Sequence, residues 1–145
     1  LVAEADSDVA RALHAGLLAA TAGLVAAVDV VEAATAPAAG AAAARLLTDE
    51  QRPTAVVTDG DLTALAVLEA VRRRGLEVPW DVSVVSGADA ETCRLVDPQL
   101  TAVARPWHDL AATVASALRI SPQTPAGVPS ARLVIRGTTA PPSAS

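Results

Sequence analysis

Residues 53–89 read PTAVVTDGDLTALAVLEAVRRRGLEVPWDVSVVSGAD, a complete strand–helix–strand unit. Thr54 to Thr58 is a short run rich in β-branched residues, which suits a buried strand. Leu62, Leu65, Ala66, Leu68 and Val71 recur at helical spacing. Asp61 is placed to cap that helix. Arg72–Arg73–Arg74 crowd its last turn, where the helix dipole favours cations, and Gly75 can end it in a left-handed conformation. A Pro-containing link leads to a second apolar strand, Val82 to Val85. Two buried strands joined through one helix predict a parallel pair. Thr58, Asp59, Asp61 and Asp89 then fall at the carboxyl ends of strands, where open α/β sheets bind ligands.

The same alternation extends outward. Asp6 or Ser7 can cap a helix running to about Ala22, with Gly23 ending it. Leu24 to Val31 reads as a strand. Pro37 suits the first turn of a helix that Ala41 to Leu47 continue. Beyond Asp89, Ala90 to Val96 reads as a short helix or turn, and Asp97–Pro98 marks a break. Leu100 to Ala104 is a strand, Trp107 to Ile120 a helix and Ala131 to Ile135 a last strand. The loop from Ser121 to Ser130 carries three prolines. Gly137 to Ser145 reads as a frayed tail. Alternating β and α predict a doubly wound parallel sheet, with helices on both faces.

Composition narrows the chemistry. The 145 residues make about one domain. The chain is 52% hydrophobic without Phe, Tyr or Met, so Ala, Val and Leu must build the core. The net charge of −5 gives no general attraction for nucleic acid phosphates. All 11 basic residues are Arg. The absence of lysine excludes a Schiff base, a phosphate-loop lysine and a lysine base. One cysteine, Cys93, cannot form an internal disulfide, and with two histidines it cannot make an ordinary zinc site. No metal or cofactor is expected, and a reducing, cytoplasmic compartment is. The longest uncharged run, Ala15 to Val28, is too short to span a bilayer. The chain begins inside an apolar stretch, Leu1–Val2–Ala3, and reads as a piece of a longer protein.

Four segments resemble the effector-binding domain of the lactose-repressor/galactose-repressor (LacI/GalR) family of bacterial transcription regulators. Residues 53–89 look like its strand, its Asn-Asp helix start and its Gly-Leu-x-Val-Pro-x-Asp-Val-Ser-Val-Val-Gly run. DPQLTAVARPWHDLAATVASAL resembles its Pro-x-Leu-Thr-Thr-Val-x-Gln-Pro crossing and the next helix. LVIRGTTAPP resembles its closing strand and Arg-x-Ser-Thr-Ala-Pro-Pro tail, and DSDVARALHAGLLAATAGL is a looser match to its first helix. The resemblance implies a carboxyl-terminal subdomain of periplasmic-binding-protein type, made of residues 1–104 and 131–138. It implies that residues 105–130 pack on an amino-terminal subdomain outside this chain, that 139–145 are a tail, and that operator DNA is bound through a separate headpiece. It also implies a side-by-side homodimer, whose surface here would include Leu65, Leu68, Leu95 and Val96. The helix Trp107 to Arg119 is an alternative sticky face.

The resemblance places the effector cleft at Leu13, Thr35, Asp59, Gly60, Ala88, Asp89 and Arg105. In sugar-responsive members an Arg stands at the position of Leu13, an aromatic residue near Thr35, an Asn at Gly60 and an Asp at Ala88. A sugar site needs polar forks and usually a stacking face. None of these four residues supplies either, so an effector other than a simple hexose, or none, is expected.

Single residues admit plainer readings. Asp61 is better read as a helix cap than as a ligand group. Asp59–Gly60 serves equally as a ligand approach or a tight turn. Asp89 is better read as bonded to a neighbouring loop, and Arg105 either as an anion partner or as a hinge ion pair. Trp80 reads as packing on the sheet edge, Cys93 as core or interface, and Arg72 to Arg74 as a solvated helix end. His108 beside Asp109 is weak grounds for catalysis. Two other functions compete with a ligand-sensing, dimerising regulator module. One is a periplasmic solute-binding protein. The other is an aspartyl phosphatase or receiver-like domain, suggested by Asp59-x-Asp61 after a strand; lysine, which those families usually need, is absent, and no enzyme activity is expected.

Overall fold

The computed structural model describes residues 1–3, 8–23, 28–48, 52–107, 111, 114, 115, 118 and 130–141. Six strands form one sheet: β1 (Val2–Ala3), β2 (Val31–Glu32), β3 (Ala55–Thr58), β4 (Ser83–Ser86), β5 (Thr101–Ala104) and β6 (Arg132–Val134). Their order is β2-β1-β3-β4-β5-β6. Every pairing from β2 to β5 is parallel. The predicted pair β3–β4 runs in full register from Ala55↔Ser83 to Thr58↔Ser86.

Two expectations need correction. The closing strand β6 is antiparallel, with Val103 opposite Leu133. An edge strand needs no crossover helix, and the strand patterning of Ala131 to Ile135 is blind to direction. The strand expected over Leu24 to Val31 is only Val31–Glu32; residues 28–30 are in no strand, although the Asp29 carbonyl accepts the Leu1 amino group at 2.7 Å, and 24–27 lie outside the described residues.

Four helices are bounded: α1 (Asp8–Thr21), α2 (Ala36–Leu46), α3 (Asp61–Arg73) and α4 (Thr92–Leu95). Residues 107, 111, 114, 115 and 118 are helical as well. Gly23 and Gly75 lie beyond the ends of α1 and α3 with φ of +86° and +70°; the left-handed termination expected of Gly75 is present, and Gly23, expected to end its helix, adopts one too. Helix α2 opens on the Thr35 cap and Pro37.

The core explains how a chain without Phe, Tyr or Met fills its interior. Ala39, Ala42 and Ala43 of α2 and Ala64, Val67, Leu68, Ala70 and Val71 of α3 are buried together with Val2, Val56, Val84 and Leu100. A Cβ on Gly40 would lie 3.2 Å from the Ala66 carbonyl oxygen, so the two helices meet almost backbone to backbone. Each fully buried valine or leucine contributes about 1.5–3 kcal/mol. Leu68 is committed to this core at 3% exposure, which removes it from the surface expected to meet a partner. Trp80, expected against the sheet edge, is 71% exposed.

The tail departs most from its expectation. Thr138 is completely buried. β4 pairs with β5 only at Val85 and Ser86. The tail fills the gap beside the first half of β4. The Val84 amide donates to the Thr138 carbonyl at 2.8 Å, and the Thr138 hydroxyl donates to the Val84 carbonyl at 2.7 Å. That hydroxyl also accepts the Thr101 amide at 2.8 Å. Local composition suggested fraying; non-local hydrogen bonds fix Gly137 to Ala140 instead. Residues 142–145 lie outside the described residues.

Candidate functional site

The parallel register brings the carboxyl ends of β3 and β4 together. Gly87 follows β4 directly and donates its amide to the Thr58 carbonyl at 2.7 Å. A Cβ at Gly87 would stand 2.7 Å from the Asp59 carbonyl oxygen and 2.9 Å from Leu13 Cδ1. Only glycine lets α1 and the β3 end approach so closely. Above it opens a cleft of about 360 Å³, lined by Asp8, Val9, Ala12, Leu13, Gly87, Val103 and Arg105. Sequence reasoning placed Leu13 and Arg105 here and missed Gly87, whose one signal was its position directly after an apolar strand.

The walls are mostly aliphatic. Asp8 stands at the rim, its carboxylate 92% exposed and held by Arg11. Arg105 leaves β5 and donates from Nη2 to the Gly87 carbonyl at 3.2 Å. Its guanidinium lies 5.7 Å from the centroid of the Trp107 ring.

The remaining predicted residues do other work. Thr35 caps α2, its hydroxyl accepting the Ala38 amide at 3.3 Å. Gly60, not Asp61, is the N-cap of α3, in an extended backbone conformation with open space where a side chain would be. The Asp61 cap is therefore corrected: its carboxylate lies in the first turn, where the helix dipole still favours it, and accepts the Thr92 hydroxyl at 2.6 Å. Asp59 reaches the site through its carbonyl, beside Gly87. Ala88 offers a methyl, and its backbone exchanges hydrogen bonds with the Ser86 hydroxyl at 2.7 and 3.1 Å.

Asp89 is tied down as the loop reading expected. Its side chain is 7% exposed and accepts Arg136 at 2.7 Å, with Arg94 at 3.6 Å from its other oxygen. Arg136 also donates to the Leu100 carbonyl at 2.7 Å. Sequence reasoning passed over Arg136, the residue that joins the β4–α4 loop, β5 and the tail. Cys93 is buried, as expected; burial first, and then the nearby Asp61 and Asp89, push its thiol pKa above the ordinary value. His108 and Asp109 lie outside the described residues.

Among the described residues no group of three or more His, Cys, Asp or Glu could hold a metal. No described helix is long and apolar enough to cross a membrane. A second hollow, about 490 Å³, follows the seam of α2 and α3, with Gly40, Ala66 and Ala70 in its wall. It is larger but lies away from the strand ends, and Glu69 and Arg73 on its wall pair with each other at 2.8 Å.

Comparison with known proteins agrees with this geometry. Residues 2–139 match the family described as periplasmic binding protein-like domain. An uncharacterized HTH-type transcriptional regulator of Streptomyces limosus is 43% identical over 105 residues, covering 69% of this chain and 29% of the relative. Catabolite control protein A of Priestia megaterium is 35% identical over 68 residues, 47% of this chain and 20% of the relative. A LacI family regulator from Mycobacterium smegmatis superposes with a TM-score of 0.77 at 31% identity, covering 98% of this chain and 57% of that one. The dimeric Lac repressor with an 11-residue C-terminal deletion superposes at 0.82 and 26% identity, over 98% of this chain and 56% of that one. The alignments thus span less than a third of these curated relatives and just over half of these solved chains. The chain belongs to the periplasmic binding protein-like domain family, as an effector-binding domain of LacI/GalR type.

Proposed function

We propose that this chain is the effector-sensing and dimerising part of a cytoplasmic DNA-binding transcription regulator, and that the effector is not a simple hexose. One observation carries the second half. At the carboxyl ends of the strands, Leu13 is aliphatic, Gly60 has no side chain, Ala88 is a methyl, and Thr35 is spent on a helix cap. Asp89, next in the chain to Ala88, is bound to Arg136 and Arg94, and Asp8 at the rim is held by Arg11. A hexose hydroxyl in this cleft would lose its water without gaining a fork of donors and acceptors. Residues 105–130 lead to a second subdomain that completes the cleft. Support for this lies in the exposure of Trp107, Val114 and Leu118 at 63%, 52% and 78%. Leu110 of that helix lies outside the described residues.

Dimerisation uses the surface beside α3 and α4. Leu95 is 77% exposed, while Leu65 and Val96 are partly buried against the core. A self-complementary patch near 800 Å² per partner, roughly the standard size, is sufficient for a specific contact. DNA contact belongs to a headpiece outside this chain, and the chain itself performs no catalysis.

The test is a thermal-shift titration of the full-length protein with glucose, galactose and ribose. The reading expects no saturable rise in Tm with the two hexoses; a saturable hexose shift would overturn it. Selection of bound DNA from a random pool by the full-length protein should return a palindromic site, as a dimeric headpiece requires. Recovery of no preferred sequence would remove the regulator reading. Leu95→Asp should shift sedimentation from dimer to monomer.

A further inference from the structure

We infer that the cleft at the β3–β4 ends selects a small organic acid, a carboxylate on an apolar body; this rests on the reading of that cleft as the effector site. Arg105 is the arginine that lines this cleft, and it differs from the arginines that are paired with a carboxylate; Arg45, Arg72, Arg74 and Arg132 also show no such pair among the described residues but do not line it. Arg136, Arg94, Arg73, Arg52 and Arg11 each have a carboxylate within 4.0 Å: Asp89 for the first two, then Glu69, Asp81 and Asp8. Among the described residues Arg105 has none. Its polar contact is one neutral carbonyl, that of Gly87, at 3.2 Å, and its guanidinium carbon lies over the Trp107 ring, 5.7 Å from the centroid. Yet Arg105 is partly buried and lines the cleft. A guanidinium anchored at one nitrogen and steadied on an aromatic face keeps the rest of its planar donor fork for a carboxylate.

The surroundings set the rest of the ligand. Val9, Ala12, Leu13 and Val103 share the cleft with Arg105 and accept an apolar body without polar cost. Asp8 is the one carboxylate in the lining; it is exposed at the rim and neutralised by Arg11, so an acid reaching Arg105 meets a screened charge. A carboxylate of modest size satisfies both features. A neutral polyol satisfies neither, and a free inorganic anion leaves the aliphatic wall uncovered.

The experiment is isothermal titration of the full-length protein with benzoate, cinnamate and hexanoate, their three primary amides, and inorganic phosphate. At least one acid should bind saturably, its amide and phosphate at least about tenfold more weakly, and Arg105→Gln should weaken the acid by about tenfold or more. Asp8→Asn should leave acid binding unchanged or tighter. Circular dichroism checks that Arg105→Gln retains the fold. An amide binding as tightly as its acid, with Arg105→Gln without effect, would overturn the acid inference; if Val103→Trp blocks that amide, the effector cleft itself still stands. Binding of phosphate as tight as the best acid would overturn the apolar body. No binding by any acid also overturns the inference, and a hexose titration that saturates and is blocked by Val103→Trp would overturn the reading beneath it as well.

Discussion

The tail at β4–β5 and the cleft at the β3–β4 ends lie in one small sheet, yet their polar groups are used in opposite ways. At the tail, Thr138, Thr101, Thr139 and Arg136 bond to one another, to backbone and to Asp89. At the cleft, Val9, Ala12, Leu13 and Val103 present no polar side chain, and Arg105 holds one carbonyl. Buried polar groups are costly unless satisfied, so the tail specifies one arrangement of the sheet. Gly87 apart, the cleft is free to change its residues because little of the fold depends on their side chains. Stability and recognition are thus divided between two places in the same chain.

Exchanging arginine between the two regions tests this division most severely. Arg136→Met strands a buried carboxylate and should cost about 3–5 kcal/mol in urea denaturation, somewhat less where Arg94 takes over. Arg105→Gln should cost no more than about 1.5 kcal/mol, one hydrogen bond's worth. Equal losses would break the comparison.

Glycines sharpen it. Gly87→Ala must displace the Asp59 carbonyl or Leu13 and should destabilise by about 1–3 kcal/mol, read as a fall in urea midpoint. Gly60→Ala, with open space around it, should cost only the difference between two capping residues, at most about 1 kcal/mol. Thr138→Val keeps the shape and removes the hydroxyl. It leaves the Thr101 amide and a Val84 carbonyl lone pair unmet, for a loss of about 1–3 kcal/mol.

How much of this could be read from the sequence follows the same division. The β3–α3–β4 unit was legible because period, termination and strand chemistry all lie within residues 53–89 and agree. The tail was misread for the opposite reason. Thr138 and Thr139 look like loop residues; only a gap between β4 and β5, about forty residues away in the chain, turns them into a plug. Asp61 was misread because capping depends on backbone angles at Gly60, which residue type alone does not fix. β1, two residues long, carries too little pattern to be seen. Leu68 shared a helical stripe with Leu65, and spacing alone does not say which leucine turns inward. In the cleft, Leu13 and Arg105 came from the family resemblance, whereas Gly87 is required by a close approach visible only in three dimensions.

The smallest expected effect concerns Cys93. Its folded pKa lies above that of the unfolded chain, chiefly through burial. The thiol's contribution is therefore fully present below the unfolded pKa, about 8.5 to 9, and is lost as pH rises toward the folded value. Stability should be insensitive to this group at pH 7 and should fall slightly above about pH 9 in the wild type, less so in Cys93→Ala. At pH 7 iodoacetamide should label the thiol only after urea unfolding.

The most direct measurement is native-state hydrogen exchange on individual amides of the sheet and of α3. The Val84 and Thr101 amides, both bonded to Thr138, should exchange only through global unfolding, with protection close to the full stability. The Asp61 and Leu62 amides, in the first turn of a helix whose Gly60 cap supplies no side-chain acceptor, should exchange orders of magnitude faster. Val84 and Thr101 exchanging as fast as Asp61 and Leu62 would contradict a tail that is tied into the core of the sheet.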